Sequence, residues 1–310
     1  MNIGTRGPSR LLRPSMRPWV DLREPAAPTD AARVRAMFLG VSTVLLTDGV
    51  NTVLTDGFFS RPHKLRVALG RLSPDHARVR AALERFRLTE LDAVFVVHSH
   101  YDHALDAPLV AELTGARLIG SESTRNIAAG QGLAPDRFDP VTLGAPIRIG
   151  AFTLTALPAE HSPGDIAPGR IEEPLGSGRT TEFRTGDCYS LHVAHPDGEL
   201  LVHASANWVP GALDGHRADT VYLGVGALGK QSEDFRDEYW HHLVTRTKAR
   251  RVVPIHWDDF TLSLDRSPRP LPGVFDDFAT TMEFLSRRSR TDRVELVLPV
   301  LGRRTDPFRP

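Results

Sequence analysis

The sequence predicts a layered α/β fold built as a single domain. Short β-rich runs alternate with helix-like segments, and a histidine cluster begins where one apolar run ends. The 310 residues also suffice for one sizeable core. Hydrophobic residues make up 41% and charged residues 25%, which excludes a disordered or collagen-like chain.

Residues 1–30 are rich in Pro and Arg without periodicity, so they are expected to form an extended arm, with the domain proper over 31–310. Runs 41–47 and 52–56, split by the turn formers Asp48, Gly49 and Asn51, predict a hairpin. Ser73 and Pro74 are read as N-cap and first residue of a helix over 75–87. Residues 93–97 form a continuous apolar run, the texture of a strand covered on both faces.

A helix is expected over 107–114, a strand over 116–120, a helix over 123–131, and strand-like runs over 147–149 and 152–157. Pro196-Asp197-Gly198 predicts a second hairpin between 189–194 and 199–204. The C-terminal third reads as strands at 220–224 and 252–255, helices at 233–248 and 275–288, and a closing strand at 294–300. Two Pro-rich loops, 162–186 and 263–273, each follow closely on a histidine, so they are candidates for pocket walls.

Thirty-eight basic residues balance thirty-eight acidic ones, so no global field recruits nucleic acid or an anionic membrane. No basic or aromatic accessory segment supports a nucleic-acid partner. The only cysteine, Cys188, excludes an intrachain disulfide and any multi-thiolate metal site. No secretory-type leader and no apolar run of membrane-spanning length is found, which predicts a soluble, cytoplasmic protein with no transmembrane segment. Oligomeric state is not legible.

The run His98-Ser99-His100-Tyr101-Asp102-His103 carries the chemistry. Three imidazoles and a carboxylate in six residues are hard to bury as packing, because each brings polar atoms that need partners. A divalent ion supplies them, and neutral imidazole with carboxylate suits zinc, with iron or manganese as alternatives. A solvated His-rich surface loop is the plain competing reading. One loop cannot complete a metal centre, so later strand ends are expected to add histidines, and His161 and His256 stand at such positions.

The pattern His-x-His-x-Asp-His, then His161 in Glu160-His161-Ser162-Pro163-Gly164, then His256, resembles the metallo-β-lactamase superfamily. The resemblance implies a four-layer αβ/βα sandwich. The N-terminal hairpin, residues 41–46 with 52–60, resembles the branch containing the ascorbate-6-phosphate lactonases and the N-acylphosphatidylethanolamine phospholipases D. Carried over by position, His98, His100 and His161 would bind one ion, and Asp102, His103 and His256 a second.

The superfamily's bridging Asp follows the second-layer hairpin, where this chain has Ser205, so one or two ions are left open. Asp187, preceded by Gly186, is a candidate replacement ligand, and His203 a candidate ligand or supporting group. Asp258 is a candidate to hold a ligand imidazole in its tautomer, with Asp56 a weaker one.

The implied activity is hydrolysis by a metal-bound hydroxide of an ester, lactone or phosphodiester in a small molecule or lipid, with Asp102 orienting or deprotonating the water. Iron-dependent redox chemistry and a non-catalytic metal- or ligand-binding protein are the alternatives. Phe58, Phe59 and Trp208 could line an apolar entrance for a lipid, although core packing explains them more simply. Tyr101 either donates to an oxyanion or packs under the loop.

Overall fold

In the computed structural model, which describes residues 12–25 and 33–308, the alternation of side chains along strands sorts the apolar residues into two cores. Along the chain come β1 (Arg35–Phe38), β2 (Val44–Thr47), β3 (Thr52–Thr55), β4 (Ala93–Phe95), β5 (Arg117–Gly120), β6 (Phe138–Pro140) and β7 (Pro146–Ile149). They are followed by β8 (Phe152–Ala159), β9 (Cys188–His195), β10 (Gly198–His203), β11 (Thr220–Gly224), β12 (Arg251–Ile255), β13 (Glu295–Leu296) and β14 (Arg304–Thr305). One sheet has the order β14-β1-β2-β3-β4-β5-β6, the other β13-β12-β11-β10-β9-β8-β7.

The helices are α1 (Lys64–Leu69), α2 (His76–Phe86), α3 (Tyr101–Ala104), α4 (Ala107–Thr114), α5 (Glu122–Gly130), α6 (Glu233–Trp240) and α7 (Phe278–Asp292). Leu45, Leu54, Val94 and Leu118 of the first sheet pack with Val79, Leu83, Leu109 and Ile127 of α2, α4 and α5. Their alternates, Val44, Val53, Phe95 and Ile119, join Leu154, Leu191, Val193 and Val202 of the second sheet in a central core. That core continues to Tyr239 and Trp240 of α6 and Phe278 and Leu285 of α7. The result is the four-layer αβ/βα sandwich.

β3, β4 and β5 run parallel, as do β10, β11 and β12, so the loops leaving their C-terminal ends gather at one edge. β8 is antiparallel to β9, and β9 to β10, so β8 delivers its C-terminal end there too. This is the usual ligand-collecting edge of such sheets.

Several expected elements are displaced. The N-cap of α2 is Asp75, not Ser73, because its carboxylate accepts the Arg78 amide at 3.1 Å while its own amide donates to Ser60 Oγ. The first strand is β1, and residues 39–43 form its turn into β2, with Gly40 and Val41 at positive φ. The helix expected over 233–248 changes at Trp240 into a π-helical turn, His241–Thr245. The expected closing strand shrinks to the two residues of β13.

Of the expected arm, residues 1–11 and 26–30 lie outside the described residues. Residues 12–25 lie against the domain: Trp19 packs edge-on against Phe278 (5.4 Å between centroids), and Arg23 bridges Leu298. No helix among the described residues is long and apolar enough to cross a membrane.

Candidate metal centre

The centre starts where β4 ends. The apolar run continues through Val96 and Val97, and His98 is the first polar residue beyond it. After His100 the chain turns into α3, whose single turn carries Asp102 and His103. His161 follows β8 and His256 follows β12.

The structure brings these six side chains into two groups. Ligand atoms of His98, His100 and His161 lie within 4.8 Å of one another, and so do those of Asp102, His103 and His256. The groups adjoin: the rings of His98 and His103 are 3.7 Å apart, centroid to centroid.

Hydrogen bonds decide which ring nitrogens are free. His103 Nδ1 sits 2.8 Å from Asp56 Oδ2, and because a carboxylate accepts, that nitrogen carries the proton and Nε2 the lone pair. Asp56 also accepts from the Val97 amide (2.9 Å) and the Ser42 hydroxyl. The role that seemed weak for Asp56 in the sequence is thus a direct contact. His161 Nδ1 donates to the Ser162 carbonyl at 3.0 Å, which leaves its Nε2 free.

His103 Nε2 then faces His256 Nε2 at 3.2 Å, with Asp102 Oδ2 at 3.7 and 3.4 Å from the two. His98 Nε2 is buried and has no hydrogen-bond partner. A buried imidazole nitrogen without a partner is costly in a metal-free protein and is satisfied by a coordinated ion. The donor set, three imidazoles in one group and two imidazoles with a carboxylate in the other, fits divalent metal.

Electrostatics agree. Burial first, and then the neighbouring imidazoles, push His98 well below its ordinary value. Burial likewise lowers His100, and lowers His161 to about 4. All three are therefore neutral ligands near pH 7. Burial alone would raise Asp102, but His103 and His256 hold it well below the usual carboxylate range. Asp102 in turn outweighs burial at His256 and raises it.

The supporting candidates are placed differently. Asp258 directs Oδ1 to the Val41 amide (2.7 Å) and Oδ2 to Arg61 Nη1 (2.7 Å), not to an imidazole. It braces His256 through the backbone, because the His256 amide donates to the Val41 carbonyl at 2.6 Å.

His203 is engaged at both nitrogens, by Ser190 Oγ (2.6 Å) and the Asn207 carbonyl (2.7 Å), and joins neither group. Asp187 pairs with Arg170 at 2.8 Å and also joins neither. Ser205 is buried just after β10, its carbonyl accepting from the Asn207 amide (2.9 Å) and from Tyr239 Oη (3.3 Å).

Phe58 and Phe59 are buried in the outer core, and Trp208 packs on Phe235 and His242, so none of the three lines the cleft beside His161. Tyr101 packs edge-on between Phe58 and Phe260. Burial drives the Cys188 thiol up to about 12, which leaves it a protonated, weakly reactive group.

Sequence reasoning missed Asp165. Its Oδ1 lies 3.2 Å from His100 Nε2, and its Oδ2 lies 3.9 Å from His161 Nδ1. The i, i+4 spacing to His161 was the available signal. Beside it opens a cleft of about 640 Å³ lined by His161, Asp165, Arg170, Thr185, Asp187 and Leu143, among others. The loop 162–186 therefore does supply a wall.

Residues 51–257 match the family model described as the beta-lactamase superfamily domain, two-thirds of the chain. The chain belongs to that superfamily. An uncharacterized protein of Mycobacterium tuberculosis is 26% identical over 291 residues, covering 91% of this chain and 71% of that protein. A protein of Rubrobacter xylanophilus named as a metal-dependent hydrolase is 27% identical over 249 residues, covering 79% and 86%.

Among solved structures, a metallo hydrolase from Ignicoccus hospitalis superposes with a TM-score of 0.55 at 14% identity, covering 89% of this chain and 96% of that one. The metallo-beta-lactamase fold protein YhfI of Bacillus subtilis gives 0.54 at 13% identity, covering 89% and 99%. At such identities these two likenesses speak for the fold.

Proposed function

We propose that this superfamily member is a metal-dependent hydrolase acting on an ester, lactone or phosphodiester of a small molecule or lipid, with zinc as the metal. The observation that carries the reading is the convergence of six ligand groups, with the buried His98 Nε2 unpartnered, beside an open cleft. A relative named as a metal-dependent hydrolase supports it. Divalent metal at such a centre supplies a hydroxide nucleophile at neutral pH and a Lewis acid for the attacked oxygen.

The protein's own groups do the rest. His98, His100 and His161 hold one position and Asp102, His103 and His256 the other, with Asp56 keeping the His103 proton on Nδ1. Asp102 stays a carboxylate and can accept a proton from water. The Arg170 guanidinium on the cleft wall, paired with Asp187, is a cation that can turn to a phosphodiester by exchanging that partner, in keeping with the lactonase and phospholipase resemblance. The cleft is also what favours catalysis over non-catalytic metal or ligand binding, the reading that Ser205 suggests.

The test is metal content and hydrolysis of generic lactone and phosphodiester substrates, for the wild type and His100→Ala. Co-purifying or tightly bound metal with hydrolysis, both lost in the variant, is expected. A wild type without metal, or a variant unchanged in both, overturns the proposal.

A further inference from the structure

We propose that Asp165 is a positioning residue of the first metal position, holding His100 in the tautomer that ligates and supplying the negative charge that Ser205 does not. The inference rests on the metal reading above. It concerns a residue from the loop after β8, outside the metal-binding run and the strand ends.

The geometry around His100 Nε2 is one of acceptors. Asp165 Oδ1 lies at 3.2 Å and Thr185 Oγ1 at 3.0 Å, and the Thr185 hydroxyl itself donates a hydrogen bond to Asp165 Oδ2. With both oxygens of this unit accepting, Nε2 carries the proton and Nδ1 keeps the lone pair for the ion. The Ala167 amide fixes the carboxylate from the other side, donating to Oδ1 at 2.8 Å. The arrangement repeats at the other position, where Asp56 does the same for His103 through Nδ1.

The loop is clamped onto the metal-binding run, so the contact is built in. The Ser99 amide donates to the Thr185 carbonyl (2.8 Å), and Ser99 Oγ donates to the carbonyls of Arg184 (2.7 Å) and Thr185 (2.9 Å). The Thr185 amide donates to the Ala167 carbonyl at 2.9 Å, tying the two ends of the loop together. Gly186, at φ +66°, makes the approach feasible: a Cβ there would stand 2.4 Å from Ser99 Oγ.

The charge argument runs in parallel. Two divalent ions would face one ligand carboxylate, Asp102, since the two groups hold no other acidic side chain and Ser205, which the resemblance sets at the bridging position, is uncharged. Asp165, anchored by hydrogen bonds at both oxygens, adds a second negative charge next to the first position.

The experiment is a Co2+ and Zn2+ titration of the full chain against a competing chelator at pH 7, comparing wild type, His98→Ala, Asp165→Asn, Asp165→Ala and Thr185→Val. Outer partners of ligand histidines are worth roughly 10–100-fold in metal affinity, so Asp165→Ala should lose that much at one position. Asp165→Asn, which keeps an acceptor but no charge, should lose less. Thr185→Val should weaken binding in the same direction, and its effect should not add to that of Asp165→Ala.

Melting of the metal-free proteins controls for folding. If Asp165→Ala does not fold, Asp165→Asn and Thr185→Val decide. The proposal is overturned if folded Asp165 variants bind within about twofold of wild type while His98→Ala loses metal. If wild type binds no metal, or His98→Ala binds as wild type does, the metal reading itself fails and this inference with it.

Discussion

Replacing Asp56 by Asn tests the tautomer logic of the centre with a near-isosteric change. Asp56 is fully buried, and it accepts from the Val97 amide, the Ser42 hydroxyl and His103 Nδ1. Asn can keep the Val97 bond through its carbonyl oxygen, which turns its NH2 toward His103. That group donates, so His103 is driven to carry its proton on Nε2, the atom that faces His256 at 3.2 Å. Ligation then requires the other tautomer, with two donors opposed in a buried site.

Losing one such bond and leaving a buried donor unsatisfied costs about 1–3 kcal/mol. That corresponds to roughly 5- to 150-fold in affinity, overlapping the 10–100-fold typical of outer-partner changes. The assay is Co2+ binding by chelator competition, with the metal-free melting temperature as the folding control. A folded Asp56→Asn protein whose affinity stays within about threefold of wild type would refute the assignment of Nε2 as the ligating atom of His103.

Three further outcomes are expected. Burial raises Glu24 to about 7 from 4.5, so the stability it contributes is fully present below about pH 4.5 and is lost as pH rises through 7. Urea denaturation at pH 5 and pH 8 should show wild type losing on the order of 3 kcal/mol more than Glu24→Gln over that range, and equal losses would contradict the shift. Asp258→Ala strands the buried Arg61 guanidinium and frees the Val41 amide, so it should cost about 3–5 kcal/mol by denaturant unfolding, and a cost under about 1 kcal/mol would contradict the pairing. Arg170→Ala should raise KM for a phosphodiester about tenfold, equivalent to about 1.4 kcal/mol, and leave an uncharged lactone unaffected; equal effects on both would remove Arg170 from phosphate recognition.

Most strands of the two sheets were legible because they are short apolar runs ending in turn formers or polar residues, as at Val97 and His98, whereas β1, β6 and β14 were not foreseen. The metal candidates were legible for the same reason, since a polar cluster at the end of a buried strand has few other uses. What the sequence hid depends on the path of loops. Asp165 lies in a Pro- and Gly-rich segment without periodicity, and it reaches His100 through the clamp of Ser99 on residues 184–185 and the bonds of Thr185 to Asp165 and Ala167. Asp258 looked like a partner for His256 by proximity along the chain, but a buried Arg61, 197 residues away, claims it.

The most direct test of the central claim is an anomalous-scattering map of crystals of this protein grown with excess zinc. The account predicts peaks between His98, His100 and His161 and between Asp102, His103 and His256. A map with zinc bound elsewhere and no peak within either group would contradict it.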